Sequence, residues 1–369
     1  MEPAIAETMY QIFRQTNGDL LDGLDDAQAG FTWTDRPEQK IDPRVHYPVD
    51  FTQGYAWIGE TEDPPTDSVL GKIPYLLHAF GNYRRTRTVY TIDRTLLRHL
   101  VDSQWPSAIP IEAASLPKNG CVLDLPANEV FGAENIQGND RVQVICTYDM
   151  NPDTGGLDLV LSGLCLRRNS EGFRELVCLD GLTAWLNLSS PNLEDAILDY
   201  AIFMHDAFDR KRADLERKGN APDEMKKAND EKLFSKEWFR YLKTILSVLL
   251  YINGNDDLLE IEQPPDPGPR NKGKRRRMAK EQPSPKPERP LRQFHVGRKF
   301  ASIIQRWEEQ ERSDAERTGR SVRPHLRAAH AHLYRVGKGR TGQRVKFLPP
   351  IPVKGWEAPE PVPAIRLVK

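Results

Sequence analysis

The densest chemistry in the chain lies in Arg323-Pro-His-Leu-Arg-Ala-Ala-His-Ala-His-Leu-Tyr-Arg-Val-Gly-Lys-Gly-Arg-Thr-Gly-Gln-Arg344. Here His325, His330 and His332 are interleaved with Arg323, Arg327, Tyr334 and Arg335, and Lys338, Arg340 and Arg344 follow. On a strand His330 and His332 point to one face, and His325 could reach them across a turn. Four uses are open to such a set. It could be part of a metal site, although no cysteine lies nearby. It could supply the general acid and base of an RNA cleavage, attacking through a 2′-hydroxyl. Its arginines could clamp phosphate or a peptide, or its histidines could simply order an edge of the fold through hydrogen bonds. His325, His330 and His332 are the catalytic candidates, the Arg, Lys and Tyr residues around them are binding candidates, and no metal or cofactor is expected.

Gly337-Lys-Gly-Arg-Thr-Gly342 lacks the spacing of a phosphate loop, and no helix pattern follows it. It is expected to be the basic tip of a hairpin between strands 331–335 and 344–348. No Gly-x-Ser-x-Gly elbow is present. A second basic cluster, Lys272, Lys274, Arg275, Arg276 and Arg277, is a further candidate for an electrostatic contact with RNA or the ribosome, or a solubilising linker. The aromatics Trp33, Tyr47, Phe51, Tyr55 and Trp57 could line a peptide groove, although core packing is the commoner fate of such residues.

The elements that must position these residues follow from periodicity. A helical stripe over Met1–Gln15 meets a stop at Asn17-Gly18, and helices are expected over 69–83 and 92–101. Apolar runs at 121–125, 142–146, 157–166 and 173–179, separated by turn residues, read as an antiparallel sheet of about four strands. Ser190 as N-cap with Pro191 after it opens a helix through Phe208, and a second helix spans 236–253 with Gly254 as its stop. Residues 264–290, proline-rich and basic, cannot bury enough apolar surface to fold alone. Phe300, Ile303, Ile304 and Trp307 mark a last amphipathic helix. The expected architecture is an α+β fold with a helical N-terminal part, a central antiparallel sheet with packing helices, and a basic C-terminal region. The expected division is an acidic body (1–263), a proline-rich basic linker (264–290), and a basic helix plus β-hairpin region (291–369).

The 369 residues carry a formal charge of −1, which hides a strong asymmetry. Residues 1–263 hold 26 Lys/Arg against 43 Asp/Glu, whereas residues 264–369 hold 26 against 10. Such a basic end points to a polyanion partner, because Lys and Arg gain affinity by releasing counterions from a phosphate backbone. The longest apolar run, near Ile245–Ile252, is far shorter than the ~20 residues a bilayer needs, and the N-terminus has no signal-peptide pattern. A cytoplasmic protein without a membrane partner is expected. Cys121, Cys146, Cys165 and Cys178 stand singly in apolar surroundings and read as reduced core thiols.

Leu249-Leu-Tyr-Ile-Asn253 followed by Leu259-Glu-Ile-Glu262, then Val296-Gly-Arg298, and above all Arg323-Pro-His-Leu-Arg-Ala-Ala-His-Ala-His332 with Val345-Lys-Phe-Leu-Pro-Pro-Ile-Pro-Val353 form a distinctive set. Together these stretches resemble the second family of type V-A anti-CRISPR proteins, which is carried by phages and other mobile elements. The resemblance covers about the last 130 residues well and the stretch near 116–125 loosely. It implies a protein that recognises the N-terminal polypeptide of the type V-A CRISPR nuclease as it leaves the ribosome and causes loss of the message being translated. The implied partners are a nascent polypeptide and the ribosome or messenger RNA. A histidine-dependent ribonuclease and a nucleic-acid-binding accessory protein of a mobile element are the competing readings.

Overall fold

The computed structural model describes residues 5–29, 42–49, 69–101, 103–106, 108–131, 141–151, 154–168, 174–217, 235–255, 258–261, 289–318, 325–327, 330–340, 342–348 and 351–353. The linker 264–288 and most of the aromatic-rich stretch 31–66 lie outside them.

In chain order, helix α1 (Ile5–Ala29) precedes α2 (Val69–Thr86), strand β1 (Thr88–Ile92), α3 (Arg94–Val101), β2 (Cys121–Pro126) and the short α4 (Ala127–Phe131). The chain continues through β3 (Arg141–Met150), β4 (Leu157–Arg168), β5 (Arg174–Asn187), α5 (Leu193–Arg217), α6 (Ser235–Gly254) and β6 (Leu258–Ile261). Then come β7 (Arg292–Val296), α7 (Arg298–Thr318), β8 (His325–Arg327), β9 (His330–Val336), β10 (Gly342–Leu348) and β11 (Ile351–Val353). Among these residues no helix is long and apolar enough to cross a membrane.

Seven strands form one sheet in the order β5-β4-β3-β2-β1-β7-β6. The α+β class holds. The four expected strands, β2 to β5, pair antiparallel in chain order. Three more flank them: β1 runs parallel to both β2 and β7, and β6 closes the edge antiparallel to β7. Residues of the basic C-terminal region thus enter the main sheet, since β7 lies between β1 and β6.

The central strands are apolar on both faces because both are covered. Val122 and Ile145 face a cluster with Met9, Phe13, Leu21, Leu77 and Phe80 of α1 and α2. Their neighbours Leu123 and Val144 face the larger cluster, which holds Leu96 and Leu100 of α3, Ile245 and Leu249 of α6, and Phe300 and Ile304 of α7. This opposition is the period-two alternation of a pleated strand. Cys121 and Cys146 sit opposite each other on β2 and β3 as buried free thiols, and burial pushes the Cys146 thiol up.

Three expectations need correction. Helix α1 does not stop at Asn17-Gly18. Asn17 leaves helical geometry (φ −129°, ψ 27°), and its Nδ2 and the Thr16 hydroxyl both donate to the Phe13 carbonyl freed by the kink. The helix then resumes because Leu21 and Leu24 continue the buried stripe. The cap of α5 is Asn192, whose Oδ1 accepts the Asp195 amide at 2.9 Å, while Ser190 donates to Asp199 instead. The expected helix over 92–101 loses its first two residues, since Ile92 closes β1 and Asp93 caps α3 through Thr95 N–H at 2.8 Å.

Buried charge ties α1 to α2. Asp25 accepts from Arg84 at 3.1 Å, from Arg85 and from the Tyr47 hydroxyl, and Glu7 accepts from Arg87 at 2.6 Å and Tyr83 at 3.0 Å. Tyr47 is therefore a core residue; Trp33, Phe51, Tyr55 and Trp57 lie outside the described residues.

Candidate functional site

The hairpin β9–β10 forms between the expected limits and within a residue or two of them, with full register from Gly342 opposite Val336 to Leu348 opposite His330. Its two faces differ. Ala331, Leu333, Val345 and Phe347 point inward and join the larger core, where the Phe347 and Tyr251 rings lie 6.2 Å apart. Helix α6 meets this hairpin at its end: a Cβ on Gly254 would stand 2.2 Å from the Val345 carbonyl oxygen, so only glycine admits the strand. The hairpin is also fastened at its base, where the Ala331 amide donates to the Gln104 carbonyl at 3.2 Å.

The outer face carries His330, His332 and Tyr334 on one strand and Arg344 and Lys346 on the other. Lys346 stands opposite His332, and Arg344 stands opposite Tyr334. The His332 and Tyr334 rings are 4.5 Å apart, and Tyr334 is 38% exposed. Lys338 and Arg340 occupy the tip, where Gly337, Gly339 and Arg340 take positive φ. From residue 330 to 348 the sequence has five Lys/Arg and no Asp or Glu. The result is a cationic ridge with an aromatic pair on it, anchored by an apolar underside. Its chemistry is attraction for phosphates and a stacking surface for a planar group.

The structure therefore brings together His330, His332, Tyr334 and Arg344 on one face, with Lys338 and Arg340 at the tip, while Arg335 takes the alternate face with Leu333. It does not bring His325 to them on the same ladder. Strand β8 pairs instead with β11, with His325 opposite Val353 and Arg327 opposite Ile351. The side chains of His325 and Arg327, and residues Arg323, Lys272, Lys274, Arg275, Arg276 and Arg277, lie outside the described parts. Among the described residues no three His, Cys, Asp or Glu side chains gather as a metal site.

A second feature escaped the sequence reading. At the carboxyl ends of β2, β1 and β7 a cleft of about 530 Å³ is lined by Thr91, Asp93, Arg94, Arg141, His295 and Arg298, among others. Arg141 Nε reaches both Asp124 oxygens at 2.8 Å, and Gln143 also donates to that carboxylate. Burial, with Arg298 and Arg141 nearby, pulls the His295 imidazole below its ordinary value against the opposing pull of Asp124 and Asp93. A signal for this cleft was present in the sequence: two strand-to-helix junctions, Ile92-Asp-Arg94 and Val296-Gly-Arg298, each place a cation at the first helical position.

No curated protein matches the chain. Among solved structures, the crystal structure of AcrVA2 is similar in fold, with a TM-score of 0.53 and 16% identity over 96% of this chain and 100% of that one. The AcrVA2-like sequence family matches residues 90–355, a span holding most of the sheet, the cleft and the hairpin. On that match the chain belongs to the anti-CRISPR type V subtype A2 family.

Proposed function

We propose that this anti-CRISPR protein acts on a target still being translated. It recognises the nascent N-terminal polypeptide of the type V-A CRISPR nuclease, or of another protein, and triggers decay of the message on the ribosome. The observation that supports this reading is the acid-free outer face of the β9–β10 hairpin in a chain of this family. Its cations suit the phosphates of ribosomal or messenger RNA. The His332–Tyr334 pair offers a surface on which an unpaired base stacks.

Two reporter messages that differ only in whether they open with the nuclease's first codons test the reading. Only the message with those codons is expected to be depleted, and removing its start codon should protect it. Purified protein incubated with the same RNA without ribosomes should leave it intact. Cleavage of free RNA that is lost in His330→Gln and His332→Gln variants would overturn the proposal in favour of a histidine-dependent ribonuclease. Salt-steep binding to nucleic acid with no dependence on the encoded peptide would instead assign an accessory nucleic-acid-binding protein.

A further inference from the structure

The cleft at the carboxyl ends of β1 and β7 has no part in the reading above and stands on separate observations. Both strands pass into helices through a single residue, Asp93 before α3 and Gly297 before α7. Gly297 has φ +91°, and a Cβ there would stand 2.5 Å from the Leu96 side chain, so this junction is held tightly against α3. The Asp93 amide donates to the Val296 carbonyl at 2.9 Å and locks the two strand ends together. The described walls of the cleft are accordingly set by strand ends and helix starts.

At one of the two helix starts the charges depart from the ordinary rule. A helix start carries partial positive charge and normally attracts acids. Helix α3 opens on Arg94 but keeps an acid at its start in the Asp93 cap, whereas α7 opens on Arg298 and Lys299 after Gly297 with no acid in its first turn. Arg141 adds a third guanidinium from β3. The carboxylates nearby are already engaged: Asp124 by Arg141 and Gln143, Asp93 by the α3 amides, and Glu129 by Arg94 and Arg98. Arg298 is exposed and, among the described residues, has no carboxylate within ion-pair distance. Arg94 and Arg141 are thus balanced within the protein, and Arg298 is the cation at this cleft whose compensating charge can come from outside.

We propose that this cleft, walled by Arg94, Arg141, Arg298 and His295, binds a phosphate group. Guanidinium forks match phosphate oxygens in bidentate geometry, and Thr91 adds a hydroxyl donor. At about 530 Å³ the space exceeds a lone phosphate and admits the sugar attached to it. Among the described residues no Phe, Tyr or Trp lines it, and the described lining suits the phosphate and not a stacked base.

The test follows the His295 imidazole by NMR while inorganic phosphate is added, with chloride at equal ionic strength as the control. Phosphate is expected to shift the His295 signals saturably and to raise its apparent pKa, because an anion offsets Arg298 and Arg141. Arg298→Gln should weaken binding about tenfold or more, as loss of one charge-assisted contact does, without moving the thermal melt. Parallel titrations use a short RNA carrying either a 5′-phosphate or a 5′-hydroxyl. Tighter binding of the phosphorylated end assigns a terminal monoester, equal binding of both assigns the diester backbone, and a response to inorganic phosphate alone assigns the free anion. Phosphate that moves His295 no more than chloride does, or binding that Arg298→Gln leaves unchanged, would overturn the proposal.

Discussion

His78 on α2 lies 3.9 Å from the Asp149 carboxylate, which is too long for a hydrogen bond, and its Nε2 has no hydrogen-bond partner among the described residues. Asp149 spends its oxygens on the Val49 and Met150 amides. Burial therefore wins over attraction, and the imidazole stays neutral with its pKa pushed down to about 3. His46 is shifted the same way, to about 4, by burial and then Arg85 and Arg289. The unfolded chain accepts both protons near pH 6.5, whereas the folded protein refuses them until much lower pH. Stability from these groups is thus complete above about pH 6.5 and is lost as pH falls, His78 alone contributing about 1.4 kcal/mol per pH unit until its folded pKa is approached. Urea titrations at pH 7, 6 and 5 should show this fall, and His78→Gln should make it shallower. An unchanged slope in that variant would mean that the acid-sensitive proton sits elsewhere.

Among the elements, the hairpin offers the cleanest separation of roles because its faces alternate residue by residue. Phe347→Ala removes a ring that is 3% exposed in the core and should cost about 3 to 5 kcal/mol. Replacing His332, Arg344 and Lys346 by Gln on the outer face should each change stability by no more than about 0.5 kcal/mol. Retention on RNA should instead weaken with Arg344→Gln and Lys346→Gln, and the salt slope should flatten by roughly one for each lost phosphate contact. Outer-face variants that melt like the parent yet bind RNA with the parent's salt slope would remove this ridge from the interface. The hairpin was legible in the sequence because its strands are adjacent in the chain, joined by a glycine-rich tip, and apolar at every second position. Strands β2 to β4 were legible as continuous apolar runs broken by turn residues. Strands β1 and β7 were not, since each has five residues and pairs in parallel with a partner some 200 residues away. The cleft fell with them, because residues 91–94, 141 and 295–298 become neighbours only through that pairing. The pairing of His325's strand with β11 was not legible, because nothing local distinguishes a strand that pairs with β9 from one that pairs with β11.

On the scale of the molecule, the charge division along the chain does not describe two separable bodies. The excess of acids before residue 264 and of bases after it is a fact of sequence, yet β7 from the basic side lies between β1 and β6 of the acidic side. Phe300, Ile304 and Trp307 of α7 and Ala331, Val345 and Phe347 of the hairpin complete the same core as α3 and α6. A fragment of residues 1–263 would expose the β1 edge, leave β6 without a neighbour and uncover apolar side chains on α3 and α6. Its excess of negative charge would add self-repulsion that the full chain does not have. Unpaired strand edges next to uncovered apolar surface favour association between chains. We expect the fragment to bind hydrophobic dyes, lack a cooperative melt and aggregate as salt screens its charge. Adding residues 289–369 as a separate polypeptide should restore a cooperative melt, more efficiently at low salt, where the opposite charges of the two pieces draw them together. A cooperative melt of the 1–263 fragment alone, near that of the whole chain, would show that β7 and α7 are accessories to the sheet and not part of what holds it.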